Sequence, residues 1–161
     1  MRINDGSILL IMKAERKDLT KILDLQYLAY QSEAQLLNNP AIPPLTQTIQ
    51  EVEKEFENGI ILKAVNEEDV IVGSVRAYSD NNTLYIGKLI VRLDLQRQGI
   101  GKRLLAEIEQ HCRYPRYELF TSSKSENNIN LYERAGYKRF KEKEVSKCLK
   151  FIYLEKLSVE K

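Results

Sequence analysis

The residues best placed to do chemistry in this sequence lie in the stretch QRQGIGKR, residues 96–103. Its glycines, Gly99 and Gly101, follow an apolar strand-like run and open a helical pattern. The first amides of a helix lack internal partners and carry the positive end of the helix dipole, and glycines let a bulky anion approach them closely. The stretch also carries side-chain donors, at Gln96, Arg97, Lys102 and Arg103. It therefore favours binding of an anion such as a diphosphate.

Two familiar nucleotide-binding loops do not fit this stretch. A Walker A loop needs a glycine where Gln96 stands and a serine or threonine where Arg103 stands. The dinucleotide-binding fingerprint needs a third glycine at the position of Leu104. From the residues alone, an ordinary strand-to-helix turn with solvated charges remains the alternative to an anion site.

Two motifs in this order resemble a known protein family. Residues 96–101 match the pattern [Gln/Arg]-x-x-Gly-x-[Gly/Ala] after an apolar strand, and further along stands NLYERAGY, residues 130–137. Together they resemble the GNAT family, the GCN5-related N-acetyltransferases. The resemblance implies that the loop binds the diphosphate of acetyl-coenzyme A, the acyl-donor substrate, and that the preceding strand splays from its neighbour to pair with the pantetheine arm. The donor-binding residues it implies are Leu89, Ile90, Val91, Gln96, Arg97, Gln98, Gly99, Ile100, Gly101, Lys102 and Arg103.

Tyr132, in the second motif, is a candidate catalytic residue. Its place on the apolar side of a short helix is also typical of an ordinary core tyrosine. The resemblance implies that its hydroxyl protonates the departing coenzyme A thiolate, and a phenol of pKa near ~10 suits a thiol of pKa near ~8.5. Where the family often has a donor-binding asparagine, this chain has Ser125, with Asn127 and Asn128 as substitutes nearby.

The general base is not assigned by the sequence. Many members of the family carry a glutamate on the strand before the loop, whereas residues 83–91 contain no carboxylate and Lys88 occupies an inward position. Glu33 is a candidate base near the edge of the first helix's apolar face, and a solvated charge at a helix end is the alternative interpretation. By resemblance, the apolar loop at residues 40–45 helps to form the acceptor pocket.

Hydrophobic periodicity and turn signals predict the elements that position these residues. Strands are predicted at residues 8–14, 60–65, 70–78, 83–91, 117–121, 137–145 and 148–157. Helices are predicted over residues 19–37, from Thr46 or Thr48 to Asn58, over 100–113, and from a capping box of Ser123 and Glu126 to Ala135, while residues 38–47 form a loop. This order predicts an α/β (α+β) fold, a GNAT-like mixed, mostly antiparallel sheet of about seven strands with helices on both faces. The resemblance also implies that strands 4 and 5 of this sheet splay apart along part of their length.

Length and composition limit the classes of function. The chain has 161 residues, 43% hydrophobic and 30% charged, which predicts a single GNAT-like domain over residues 1–161. A net charge of +2 disfavours a nucleic-acid partner that needs a broad basic surface. Cys112, Cys148 and the single histidine, His111, have no metal-binding spacing, so we expect no metal. We find no signal-peptide pattern and no apolar run long enough to span a membrane, and we expect a cytoplasmic protein without a membrane partner.

These observations predict an acyl-coenzyme A-dependent N-acetyltransferase. The acceptor would be a primary amine of a small molecule or peptide that attacks the thioester directly in a ternary complex, since neither cysteine lies near the glycine loop. Two alternatives remain. One is a non-catalytic acyl-coenzyme A-binding module, because the strand carboxylate is missing. The other is a nucleic-acid-binding domain that uses the basic loop. The resemblance also leaves open whether the chain forms a homodimer.

Overall fold

A computed structural model describes residues 7–147 and 149–158. Within them the strands and helices follow in the predicted order, and the long first helix is divided in two. The strands are β1 (Leu10–Lys13), β2 (Ile60–Val65), β3 (Ile71–Asp80), β4 (Thr83–Val91), β5 (Arg116–Ser122), β6 (Lys138–Ser146) and β7 (Leu149–Leu157). The helices are α1 (Leu19–Ala29), α2 (Gln31–Leu37), α3 (Pro43–Thr46), α4 (Ile49–Asn58), α5 (Ile100–His111) and α6 (Glu126–Arg134).

The seven strands form one sheet in the order β1-β2-β3-β4-β5-β7-β6. Neighbours pair antiparallel except β4 and β5, which are parallel and are joined by the crossover helix α5. Because side chains alternate between faces, Leu62 packs toward α5 with Leu104, whereas Ile61 packs toward α1 and α4 with Val52. The predicted mixed, mostly antiparallel sheet with helices on both faces is confirmed.

The two halves of the sheet separate between β4 and β5. These strands pair only through Thr83–Tyr85 and Arg116–Glu118, in three residue pairs. However, β4 continues to Val91 and β5 to Ser122, so the rest of the β4 edge has no strand partner on this side among the described residues. The opening is the predicted separation of strands 4 and 5, and we refer to it as the splay.

A β-bulge bends β4 beside the splay. The register between β3 and β4 shifts between Ser74 and Arg76, opposite residues 87–90. Lys88 has a φ of 51°, in the left-handed region that non-glycine residues rarely adopt. Bulges redirect the backbone and the side chains, and they are frequent next to active sites.

Some predicted helix boundaries were wrong. The helix over residues 19–37 is divided because the chain turns at Tyr30, although the apolar periodicity continues across the turn. The loop over residues 38–47 contains the short helix α3, which starts on consecutive prolines that suit a first turn. Ser123 does not cap α6, because the helix starts later and has Ser125 as its N-cap residue, while the N–H of Ser123 bonds to the carbonyl of Lys150. Cys148, the predicted start of β7, lies outside the described residues.

The predicted helix start at Thr48 is correct. Its hydroxyl accepts a hydrogen bond from the N–H of Glu51 at 3.2 Å, and the Glu51 carboxylate accepts one from the N–H of Thr48 at 3.0 Å. This capping box fixes the start of α4 and therefore the position of its charged side chains over the sheet.

Candidate active site

The loop before α5 has the backbone conformation of an anion-binding turn. Gly99 is the N-cap residue of α5 with a φ of 85°, and Arg97 also has a positive φ, 66°. A Cβ added at Gly99 would meet no atom within 4 Å, so the space in front of the helix is open. Arg103 pairs with Glu107 of the same helix at 2.8 Å. Arg97 and Lys102 are therefore the cations of the loop best able to meet an anion.

The loop forms one wall of a cleft of about 610 Å³ between the end of β4, α5 and α6. A cleft of this size suits a large organic ligand. Several predicted donor-binding residues line it, namely Leu89, Val91, Gln96, Arg97, Gly99, Ile100, Gly101, Lys102 and Asn128. Other residues line the cleft that were not predicted from the sequence to bind the donor, namely Leu95, Asn130, Leu131, Arg134 and Ala135.

Four residues implied to bind the donor do not line this cleft. Ile90 is buried at the register position of Ser74, and its carbonyl oxygen lies toward Gly73 of β3 rather than toward the splay. Gln98 buries its side-chain oxygen without a hydrogen-bond partner among the described residues. Arg103 is directed to Glu107, and the side chain of Ser125 lies close enough to Glu33 to lower the pKa of its carboxyl group.

Tyr132 combines a core position with a charged neighbour. The residue is 7% exposed, and its ring centroid lies 6.3 Å from that of Tyr137. Burial raises the pKa of the Tyr132 phenol, and the negative charge of Glu33 raises it further. Tyr132 therefore stays protonated at neutral pH and can donate a hydrogen bond.

Glu33, in α2, is half-buried rather than fully solvated. Burial raises the pKa of its carboxyl group, while a side-chain hydrogen bond from Ser125 lowers it. Burial also raises the pKa of Tyr30, with further contributions from Tyr132 and Glu33. The turn between α1 and α2 and the helix α6 thus bring these four side chains into one electrostatic environment, and a solvated helix-end charge does not describe Glu33.

A buried polar network, which was not predicted from the sequence, borders this group. Arg76 of β3 is 4% exposed. Its guanidinium donates to the Oε1 of Gln26 at 2.6 Å, the Oε1 of Gln47 at 3.1 Å and the Oε2 of Glu55 at 2.9 Å. Two signals were available: Arg76 interrupts an apolar strand, and Gln26 occupies an apolar position of the α1 pattern.

Lys88 extends the charged surroundings of the splay. Burial lowers the pKa of its half-buried ammonium group, Glu55 raises it and Arg76 lowers it. The side of the splay that faces α1 and α4 therefore carries ionisable groups of both signs. Among the described residues, no group of three or more histidine, cysteine or acidic side chains could hold a metal ion. No helix in the described part of the chain is long and apolar enough to cross a membrane.

Comparison with known proteins agrees with this geometry. Residues 33–158 match the family described as acetyltransferase (GNAT) domain. An uncharacterized N-acetyltransferase from Gracilaria tenuistipitata var. liui is 26% identical over 95 residues, which are 58% of this chain and 52% of that protein. The match thus spans about half the length of this curated relative.

Solved structures share the fold over nearly the whole chain. An acetyltransferase of the GNAT family from Staphylococcus aureus Mu50 has a TM-score of 0.75 and 18% identity, with 93% of this chain and 99% of that chain covered. The YncA protein of Salmonella typhimurium, solved with its cofactor acetyl-CoA, has a TM-score of 0.73 and 16% identity, with 96% of each chain covered. At these identities the likeness concerns the fold.

Proposed function

The chain belongs to the GNAT acetyltransferase family, and from that premise we propose that it transfers the acetyl group of acetyl-coenzyme A to a primary amine. The observation that carries the proposal is the junction of the cleft with the splay. The cleft opens on a glycine loop at a helix N-terminus and on the unpaired end of β4, and its lining residue Leu131 is the neighbour in sequence of Tyr132, whose phenol lies close enough to Glu33 for the carboxylate charge to raise its pKa. An anionic donor and an amine can therefore approach the same strand edge from two sides.

The residues present suit acetyl-coenzyme A as the donor. Its diphosphate would accept hydrogen bonds from the first amides of α5, with Arg97 and Lys102 nearby. Its pantetheine arm is a chain with alternating amide groups, and the unpaired β4 edge offers backbone donors and acceptors in the same alternation. Asn128 lines the cleft and already donates to the Thr121 hydroxyl at 3.4 Å, so its carbonyl oxygen remains available to the donor.

In the proposed transfer, the amine nitrogen attacks the thioester carbonyl carbon directly. A C–N bond forms, the C–S bond breaks, and the electron pair of that bond leaves with the sulfur. Backbone amides near Ile90 and Val91 polarise the carbonyl. Tyr132 donates its phenolic proton to the departing sulfur, and Glu33 accepts the proton that the nitrogen loses as it becomes an amide.

A direct transfer also agrees with the surroundings of Cys112, the cysteine within the described residues. Burial raises the pKa of its thiol, which disfavours the thiolate that an acyl-cysteine route needs. Cys112 follows the C-terminal end of α5, whereas the cleft is built on the N-terminal end of that helix. We therefore assign no covalent intermediate to this chain.

A panel of amines tests the proposal. The purified protein is incubated with acetyl-coenzyme A and small amines, polyamines, aminoglycosides or peptides with free N-termini, and free thiol is followed over time. We expect release above the amine-free rate with at least one class. Binding of acetyl-coenzyme A without amine-dependent release across the panel would support the non-catalytic binding module instead.

A further inference from the structure

One part of the sheet surface carries a cluster of exposed aromatic rings. The helices α1 and α4 pack on β2, β3 and β4, and on the same face of the sheet β5, β7 and β6 bear these rings. Phe120 lies 5.0 Å from Phe151 and 5.3 Å from Tyr153 between ring centroids, and Phe140 lies 6.4 Å from Tyr153. Phe120 is 52% exposed and Phe140 is 40% exposed. Clustered exposed rings of this kind commonly mark a binding surface.

The same cluster is basic. The β6–β7 register places three lysines beside the rings, namely Lys138, Lys141 and Lys143. The Nζ of Lys141 lies 4.6 Å from the ring centroid of Tyr153. The two carboxylates on this part of the face, Glu118 and Glu155, both pair with Arg116 at 2.9 Å. The lysines are therefore left without a carboxylate partner on this face of the described strands, and we call the four rings and three lysines the aromatic–basic face.

The aromatic–basic face begins at the splay. Glu118 is the last β5 residue that pairs with β4, and Phe120 is the next residue of β5 on the same face. Arg76 and the helices α1 and α4 lie on this same face. Glu118 pairs with Tyr85, and Tyr85 pairs with Tyr78. Since Tyr78 is two residues after Arg76 in β3, all of these side chains point to one side of the sheet. A molecule that crosses the aromatic–basic face toward β4 would thus reach the splay from the acceptor side.

We propose that the aromatic–basic face docks an acidic polypeptide segment and that an amine of this segment enters the splay as the acetyl acceptor. The inference rests on the proposed acetyl transfer. Carboxylates of the segment would pair with the lysines, and an apolar side chain would cover Phe120. Because β6 is the edge strand of the sheet, an extended segment has access to the whole face from that side.

Charge and ring geometry disfavour two other occupants of this face, a second copy of this chain and a single-stranded nucleic acid. A symmetric dimer through this face would bring two sets of lysines without carboxylate partners into one interface, and like charges repel. A single-stranded nucleic acid needs free ring faces on which bases can stack. Here Lys141 lies against Tyr153, and the guanidinium of Arg116 lies 5.0 Å from the ring centroid of Phe140. Lysines on an edge strand also discourage aggregation, but that role does not require exposed aromatic rings beside them.

Three matched peptides test the proposal. Each has the same free N-terminus, one phenylalanine and a C-terminal fluorophore, and they differ only in a run of glutamates, glutamines or lysines. Binding is measured by fluorescence anisotropy with coenzyme A present, and acetylation is measured separately by thiol release. The face variant is Lys141→Gln with Lys143→Gln. Its control is Arg139→Gln with Lys150→Gln, which removes the same charge from the opposite face of the β6–β7 hairpin.

We expect the glutamate peptide to bind about tenfold more tightly than the glutamine peptide, as a few exposed ion pairs allow. The face variant should lose this preference and the control should keep it. Equal binding of the glutamate and glutamine peptides would overturn the proposal. So would tighter binding of a single-stranded oligonucleotide, or a concentration-dependent dimer that Phe120→Ser dissociates. Selective binding of the glutamate peptide without thiol release would uphold docking and count against acetyl transfer.

Discussion

At the scale of single residues, the acid–base properties of Tyr132 and Glu33 depend on their burial and on the short distance between them. Tyr132 belongs to α6 and Glu33 to α2, and each was ambiguous in the sequence between a structural and a catalytic role. In the fold, burial raises the pKa of both groups, and the charge of Glu33 raises that of Tyr132 further. The pair therefore combines a phenol that keeps its proton with a carboxylate that binds a proton more readily than usual.

Replacement of Tyr132 by phenylalanine tests the proton donor. We expect Tyr132→Phe to lower kcat about 10²-fold with little change in the KM for acetyl-coenzyme A, because the hydroxyl acts as the sulfur leaves. Since the pKa of Tyr132 is raised, the ratio of wild-type to variant kcat should stay constant from pH ~6 to ~9. Steady-state kinetics over this range measure both values.

Tyr137→Phe is the matched control for this prediction. Tyr137 is also buried, and its hydroxyl donates to Glu109 at 3.0 Å, away from the cleft. The control should lower stability without a comparable loss in kcat. An unchanged kcat in Tyr132→Phe would return Tyr132 to a purely structural role.

Replacement of Glu33 by glutamine tests the base. A folded-state pKa above the usual value means that Glu33 gains its proton, and loses its function as a base, as the pH falls toward and below that raised pKa. With wild type, kcat/KM for the amine should therefore rise with pH and level off before the pKa of the acceptor, because ionised Glu33 can take the proton of a bound ammonium group and so generate the neutral amine in the site. With Glu33→Gln, the plateau should be replaced by a rise of about tenfold per pH unit up to that pKa, because only the neutral amine attacks.

The control for the pH profile is Glu57→Gln, which removes an exposed carboxylate of α4 that pairs with Arg16. Its profile should match wild type. If Glu33→Gln keeps the wild-type plateau, another group takes the proton.

At the scale of elements, the sequence predicted what local signals encode. The glycine turn before α5, the start of α4 at one of two candidate threonines and the span of β4 depend on neighbouring residues, and the structure confirms them, with Thr48 as the N-cap residue of α4. The polar network around Arg76 depends on distant residues instead, because Gln26 is 50 residues away in the chain and Gln47 is 29 residues away. Which distant partners satisfy a buried arginine depends on the packing of α1 and α4 on the sheet, and periodicity contains no such information.

The start of α5 permits a test that separates backbone strain from charge. Gly99→Asp and Gly99→Asn place side chains of nearly equal size at a φ of 85°, so both variants carry similar strain. The aspartate also places a negative charge where the diphosphate should lie. We expect Gly99→Asp to bind acetyl-coenzyme A at least about tenfold more weakly than Gly99→Asn by calorimetry, since one charge at a helix N-terminus changes binding by about that amount. Equal affinities of the two folded variants would place the diphosphate elsewhere.

At the scale of the whole molecule, a buried ion pair joins the segment before α1 to the sheet. The Nζ of Lys63 in β2 lies 2.8 Å from the Oδ2 of Asp18, and both side chains are at most 10% exposed. Burial alone would raise the pKa of Asp18, but the hydrogen bond from Lys63, the N–H of Glu15 and the neighbouring lysine charges together lower it. The pair thus helps to hold the start of α1 against β2.

Removal of one charge of this pair should destabilise the fold. We expect Asp18→Asn to lower the free energy of unfolding by about 3–5 kcal/mol, because Lys63 is left buried without a partner. Since the folded pKa of Asp18 lies below the unfolded value of ~3.9, its contribution is present above that pH and is lost as the pH falls through the folded value. Urea unfolding at neutral and acidic pH measures both effects.

The double variant Asp18→Asn with Lys63→Met is the control for this stability prediction. It removes both charges and keeps an oxygen that can accept from the N–H of Glu15, a hydrogen bond of 2.7 Å in the wild type. Its stability should lie close to wild type. If the single variant is as stable as the double variant, the ion pair does not anchor the segment.

Acetyl transfer through the splay is tested most directly by product stoichiometry. With the best acceptor amine, thiol release and acetylated amine are quantified in the same reaction, by absorbance and by mass spectrometry, for wild type and Gly99→Asp. The account predicts equal amounts of free coenzyme A and N-acetylated amine with wild type, negligible thiol release without amine, and loss of both products in the variant. Thiol release without acetylated amine, or equal turnover by a folded Gly99→Asp, would contradict it.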